Sequence, residues 1–297
     1  VCVQKYNYLK ERCYMKIFYS VLLLMLGFCI LGFFGLTPID LGDNVSYAMF
    51  TVCAFAELGT AAAAYVNIAG VVDQHMTVNG DQIIISKWNK LLGVAAFPGA
   101  ACTGVQLQAP SLREINPFRV APFGVGIAPG LVPEVNFFPM NSIQLTENEA
   151  IECEHYDGAA SNHAVLVMLA DSEINPLRGD IRQVRFQVTV TPVDLVWTNA
   201  NIALVDYLPY GDYAIVGARF IMAGGAFFRF VAKEQGNRPG GCCVVLPSNQ
   251  DAPYMRNGEL GEWLTFNTNN LPTIDVLTTT TPGAGTYEGV MDIVRVG

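Results

Sequence analysis

The sequence predicts an all-β chain: two similar β-rolls in tandem, preceded by an N-terminal hydrophobic helix. Three observations predict this. The stretch Ala214 to Gly240 (AIVGARFIMAGGAFFRFVAKEQGNRPG) has an earlier counterpart in Leu91 to Pro117 (LLGVAAFPGAACTGVQLQAPSLREINP). After residue 73 no amphipathic helix of any length occurs, and strand-length apolar runs alternate with Gly- and Pro-rich turns. Finally, Ile17 to Leu36 is twenty residues without a charge, long enough to span a bilayer core.

The two copies share an order of features rather than identities. Each opens on an apolar run. A small-residue turn follows, Pro98-Gly99-Ala100-Ala101 in one and Ala223-Gly224-Gly225-Ala226 in the other. Then comes a strand-like run, Val105 to Gln108 or Phe227 to Phe230, and a polar segment ending in Asn-Pro or Arg-Pro. Beyond each copy lie two further strand patterns split by a turn. They are Ser142 to Glu154 and Ala164 to Leu169 in the first half, Glu262 to Leu277 and Gly289 to Val296 in the second. An order preserved over about a hundred residues marks an internal repeat.

Along the chain, basic residues precede Ile17–Leu36, so a membrane helix there keeps its positive end in the cytoplasm. Because Met15 and Met49 are alternative first residues, the second reading of the leading segment, after a membrane helix, is upstream reading frame. Ser46 to Val72 is apolar and alanine-rich. A second membrane helix would bury Glu57 at bilayer depth, so a helix or strand leading into the folded body is preferred. Asn79-Gly80 is a hairpin signal before Ile83-Ile84-Ile85. Phe118 to Pro139 is broken by four prolines and three glycines and reads as a long loop with short edge strands. Asp171 to Asp180 is the polar break between the halves. In Ile181 to Val190, Val184, Phe186, Val188 and Val190 share one face, the pattern of a half-buried strand. The predicted organisation is an N-terminal basic and hydrophobic segment over 1–45, a first roll over 46–172 and a second over 173–297.

Charge excludes one class of partner. The formal charge is −9, and the first sixteen residues carry a net +3, which leaves −12 on the remainder. An acidic body without a basic stripe lacks the Lys and Arg that phosphate contacts need, so no specific nucleic acid is expected. Of the eight cysteines none forms a CxxC pair. They read as buried thiols in a reducing compartment, with a cross-link such as Cys153 to Cys242 as the alternative.

The chain carries few signs of chemistry. There is no G-x-S-x-G, Walker A, H-E-x-x-H or G-x-G-x-x-G. A cupin-type site is excluded by the lack of any H-x-H. His155 and His163 lie eight apart around a turn with Asp157 near. They can face each other across a hairpin, and such a set binds zinc or iron. The usual ligand spacings are missing, however, and the preferred reading is two surface histidines beside a loop. Glu259, Glu262 and Trp263 place paired acids beside a Trp, but in a turn-rich stretch that reads as solvated acids and a packing Trp. The expectation is no enzyme, no catalytic residue, no metal and no cofactor. The aromatic residues Phe227, Phe228, Phe230, Tyr207, Tyr210 and Tyr213 read as core and subunit contact.

Two β-rich halves in tandem suggest two jelly rolls. The second half carries the more specific likeness. Leu208-Pro209-Tyr210-Gly211-Asp212-Tyr213 leads into a strand, and Asn237-Arg238-Pro239-Gly240 follows an Arg-Phe-bearing strand. Met255 to Trp263 (MRNGELGEW) precedes Phe266, and Leu271 to Leu277 (LPTIDVL) comes after it. Over roughly residues 76–297 the chain resembles the major capsid proteins of tailless, icosahedral, lipid-containing phages of the double jelly-roll lineage. The resemblance implies homotrimers whose six barrels form a pseudo-hexagonal capsomer in a shell around a membrane. It implies a virion location, with neighbouring capsomers, other capsid or vertex proteins, and lipid at residues 1–45 as partners. The full apolar span at the N-terminus departs from the family's commonest arrangement. The competing reading is a membrane-anchored β-sandwich that binds an extracellular ligand or partner, and it rests on Ile17–Leu36.

Overall fold

The computed structural model describes residues 49–297, apart from 63, 98, 100–101, 116–117, 122–133, 139–140, 175–178, 245–259, 281 and 297. The predicted N-terminal helix and its membrane contact lie outside the described residues, as does Glu259. The described residues fall in one compact unit, Tyr47–Gly297. They are all-β, with a single 3-10 turn at Pro110–Ile115. None of their helices is long and apolar enough to cross a membrane.

The first half contains β1 (Phe50–Gly59), β2 (Val66–Ile68), β3 (Thr77–Asn79), β4 (Gln82–Ile84), β5 (Lys90–Phe97), β6 (Cys102–Gln108), β7 (Phe118–Ala121), β8 (Glu134–Phe137), β9 (Ile143–Gln144), β10 (Ala150–Asp157) and β11 (Ser161–Ala170). They form two sheets. One runs β1-β11-β5-β8, with β9 also on β5. The other runs β3-β4-β10-β6-β7, with β2 also on β10. The Asn79-Gly80 signal is the β3–β4 turn, where Gly80 takes φ 64° without a Cβ to clash. The apolar Ser46–Val72 stretch holds β1 and β2 and no helix among its described residues. Its Glu57 is half-buried at the end of β1, among partners of the sandwich rather than in lipid.

The second half contains β12 (Arg182–Val190), β13 (Thr198–Leu204), β14 (Asp212–Ile221), β15 (Gly225–Val231), β16 (Gly240–Val244), β17 (Leu264–Asn267), β18 (Thr273–Thr278) and β19 (Gly285–Arg295). Their order is β16-β15-β18-β13-β12-β19-β14-β17, and β16 also pairs with β14. That last pairing is parallel and closes a seven-stranded barrel. The β14–β15 turn places Gly224 at φ 73°, which explains the small-residue run there.

The pairing scheme is duplicated, as the repeat implies. β5 pairs with β11 and β11 with β1; correspondingly, β14 pairs with β19 and β19 with β12. β6 pairs with β10 as β15 pairs with β18, and β5 with β9 as β14 with β17. The halves differ where the first uses two strands, β7 and β8, and the second uses β16 alone against both sheets.

Strand sequence follows layer position. In β12, RQVRFQVTV alternates exposed and buried residues, because one face meets water. In β1, β5 and β11, the runs FTVCAFA, LLGVAAF and AVLVMLA are buried on both faces. One face of this sheet, with Cys53, Phe55, Val165 and Val167, packs on Ile83, Val105, Leu107, Ile151 and Cys153 of the opposing sheet. Its other face, with Val52, Ala54, Phe97, Leu166 and Met168, joins the core of the barrel, which holds Phe186, Phe220, Phe228 and Phe230. Phe97 meets Phe227 edge-on at 5.8 Å, and Phe50 meets Trp263 at 5.3 Å. Backbone bonds cross the same junction, from the Val52 N–H to the Arg238 carbonyl at 2.9 Å.

Candidate functional site

Three strands of the first half carry apolar residues inward at every second position, and all three switch to polar residues at the same end. On β1 the stripe is Cys53, Phe55, Glu57. On β10 it is Ile151, Cys153, His155, Asp157. On β11, read backwards, it is Leu169, Val167, Val165, His163. Register sets Glu57 opposite His163, while His155 comes from the facing sheet. The β10–β11 turn crosses from one sheet to the other and brings Asp157 beside the two rings. The histidines are therefore not surface residues beside a loop. His155 and His163 are 0% exposed and Asp157 is 1% exposed.

Within the cluster the proton positions follow from the donors. The Gly99 amide donates to His163 Nδ1 at 2.8 Å, so Nδ1 is unprotonated. The hydrogen of the neutral ring sits on Nε2 and is donated to Asp157 Oδ2 at 2.6 Å. Burial, then the neighbouring His155, lowers the His163 pKa below the ordinary imidazole range, against the pull of Asp157. Ser161 donates to the same carboxylate oxygen at 2.9 Å. The rings of His155 and His163 lie 4.5 Å apart. Glycine is required here by close approach. A Cβ on Gly59 would stand 2.5 Å from two His163 ring atoms, and one on Gly99 would stand 1.9 Å from Ser161 Oγ.

Three buried atoms of the cluster have no hydrogen-bond partner among the described residues: both ring nitrogens of His155, and Asp157 Oδ1. Glu57 Oε1 lies 3.5 Å from His155 Nε2, and its other oxygen accepts from the Ala69 amide at 2.9 Å. Each such orphan is unfavourable by about 1–3 kcal/mol. His155, Asp157 and His163 offer ligand atoms within 4.8 Å of one another. Sequence reasoning named these three together but placed them at the surface, and it did not connect Glu57 with them. The signal was the shared parity of the three inward stripes.

A second charged cluster lies where the halves meet. Arg229 on β15 donates from Nε to Asp275 Oδ2 at 2.8 Å and pairs through Nη1 with Asp73; its guanidinium stacks 4.3 Å over Trp197. Arg238 hydrogen-bonds His75 and the carbonyls of Ala232, Gln235 and Asn237. Each charged side chain here is partnered, and the cluster reads as a clamp.

The remaining sequence candidates do not assemble into a site. Trp263 is core, and Glu262 is half-buried with its pKa raised by desolvation. Cys53, Cys102, Cys153, Cys242 and Cys243 are free and buried, and Cys153 and Cys242 lie in different cores. Phe227, Phe228, Phe230 and Tyr213 are core, whereas Tyr207 and Tyr210 are 89% and 70% exposed.

No family model matches the chain, and no curated protein matches it. Among solved structures, the chain is similar to the major capsid protein P2 of bacteriophage PM2 at 9% identity, over 84% of this chain and 98% of that one, with a TM-score of 0.23. It is similar to the PBSX exported protein XepA at 13% identity, over 80% and 86%, with a TM-score of 0.22. At these TM-scores neither likeness carries an argument about this chain.

Proposed function

We propose that this chain is a viral structural protein: a major capsid protein whose body is two tandem jelly rolls, 46–172 and 173–297. The observation that carries this reading is the duplicated pairing order. A jelly roll places eight strands in two sheets, with the last strand beside the first, an architecture used by viral capsid domains. The same order occurs twice here. β1-β11-β5-β9 faces β4-β10-β6-β7, and β12-β19-β14-β17 joins β13-β18-β15-β16, with β8 as an extra strand beside β5. The doubly buried sheet then fuses the two rolls through one core.

Three fused pairs give the six-cornered outline of a pseudo-hexagonal capsomer, and such trimers tile an icosahedral shell around a membrane. The chain then resides in the virion, beside copies of itself and other capsid or vertex proteins, with residues 1–45 toward lipid. Tyr207, Tyr210, Val193 and Val196, exposed and apolar, suit contacts between copies. An acidic body keeps capsomers soluble before assembly.

Light scattering after size exclusion, on the chain from residue 41, tests this. A species near three chains, flat and six-cornered in negative stain, is the expected result. A monomer at high concentration, with the full chain held in membranes after carbonate washing, would sink it. The membrane-anchored sandwich that binds an extracellular ligand or partner would then stand in its place.

A further inference from the structure

We propose that Glu57, His155, Asp157 and His163 form a binding site for one divalent transition-metal ion of the zinc type. This goes beyond the structural role and does not depend on it. Asp157 is closed off from solvent and Glu57 is half-buried, and no Lys or Arg pairs with either acid among the described residues. A water molecule would satisfy hydrogen bonds but bring no positive charge to the buried carboxylate of Asp157. A divalent cation answers both deficits.

The donors fit such an ion. The orphaned atoms include the acceptors an ion needs: Asp157 Oδ1 and one nitrogen of the His155 ring, the other carrying the hydrogen. The His155 Nε2 to Glu57 Oε1 separation of 3.5 Å is close to the edge, about 3.4 Å, of a tetrahedron with arms of ~2.0–2.1 Å. Mixed imidazole and carboxylate donors select zinc-type ions over calcium or magnesium, which prefer oxygen alone. Glu57 is 27% exposed through its side chain, whereas the other three are closed off, so it marks the route in.

Loading makes one demand on the fold. Asp157 and His163 now share a hydrogen at 2.6 Å, too close for two ligands of one ion. For His163 to bind through Nε2, that hydrogen moves to Nδ1 and the Gly99 amide turns aside. His155 needs no such change and is the anchoring ligand.

The test uses the full chain without a polyhistidine tag, stripped with chelator, then titrated with Co²⁺ and with Zn²⁺. The expected result is one equivalent of Co²⁺ with the visible bands of a four- or five-coordinate ion, displaced by Zn²⁺, and a Zn²⁺-dependent rise in melting temperature. Asp157→Asn and His155→Phe should each weaken binding at least tenfold, and Cys102→Ser should not. His155→Phe fills the space with no orphaned nitrogen, so it should melt no lower than the parent in chelator and gain nothing from Zn²⁺. Absence of Co²⁺ bands in the folded parent would overturn the proposal. So would a site that persists in His155→Phe, or a preference for Ca²⁺.

Discussion

Arg229 holds the two halves together through charge, and its removal tests how much. The change to make is Arg229→Met, which keeps the aliphatic stem and deletes the guanidinium. Arg229 is 4% exposed, and the carboxylates of Asp73 and Asp275 are 2% and 11% exposed. Asp275 keeps a bond from Asn199 at 2.7 Å, and Asp73 keeps one from the His75 amide at 2.8 Å. Both nevertheless lose their cation. Breaking a buried pair by removing one partner destabilises by about 3–5 kcal/mol. In a body of this size each kcal/mol lowers the melting midpoint by about 2–4 °C, so the expected fall is roughly 6–20 °C. The assay is urea and thermal unfolding by circular dichroism. Neutralising the acids as well, in Asp73→Asn/Arg229→Met/Asp275→Asn, should restore most of the loss, because the penalty belongs to the stranded charges. Arg185→Met is the control: its pair with Asp206 sits in water, and the midpoint should stay where it is. A loss below about 1 kcal/mol for Arg229→Met, or a triple variant no better than the single, would refute the reasoning.

Three further outcomes are expected. Phe227→Ala removes the ring that meets Phe97 at the junction and should destabilise by about 3–5 kcal/mol in the same unfolding assay. The five described cysteines should resist iodoacetamide in the native state, as read by peptide mass spectrometry. Burial raises all their pKa values, Cys102 to about 11 and Cys242 to about 12, and labelling should follow only after denaturation. His75 has its pKa lowered by burial and then by the charge of Arg238. The unfolded chain therefore takes up the proton first. Stability should be complete above the ordinary imidazole pKa and decline as pH falls below it. Melting scans from neutral to mildly acid pH should show this decline, and His75→Gln should reduce it, leaving the part due to His163, whose pKa is lowered in the same direction.

Much of the strand order was legible because alternation and turn chemistry are local. β12 was readable residue by residue, since water on one face writes a period of two into Val184, Phe186, Val188 and Val190. β1 was not. A strand buried on both faces carries no period, and FTVCAFA reads equally as buried helix. The repeat was visible as an order of turns, and the structure repeats the same pairings. The seven-stranded closure was not visible, because it depends on β16 reaching β14, a contact that neither strand announces. The histidine cluster failed for a related reason. Spacing along the chain says which residues share a hairpin, but β10 and β11 belong to opposing sheets. The turn between them leads through the interior rather than over the surface. Glu57, far from the histidines in the chain, was placed there by the β1–β11 register alone.

The sheet of β1, β5 and β11, apolar on both sides, has a consequence for synthesis. When residue 172 leaves the ribosome, β1 to β11 have all been made, but Val52, Ala54, Phe97, Leu166 and Met168 still lack their cover. That cover lies in residues 173–297. At ~5–20 residues per second its translation takes roughly 6–25 s. For that interval the nascent chain presents a flat, oily wall, bordered by β strands, to anything nearby. The chain is then most vulnerable before it is finished. The interval ends when β19, the last strand of the barrel, arrives.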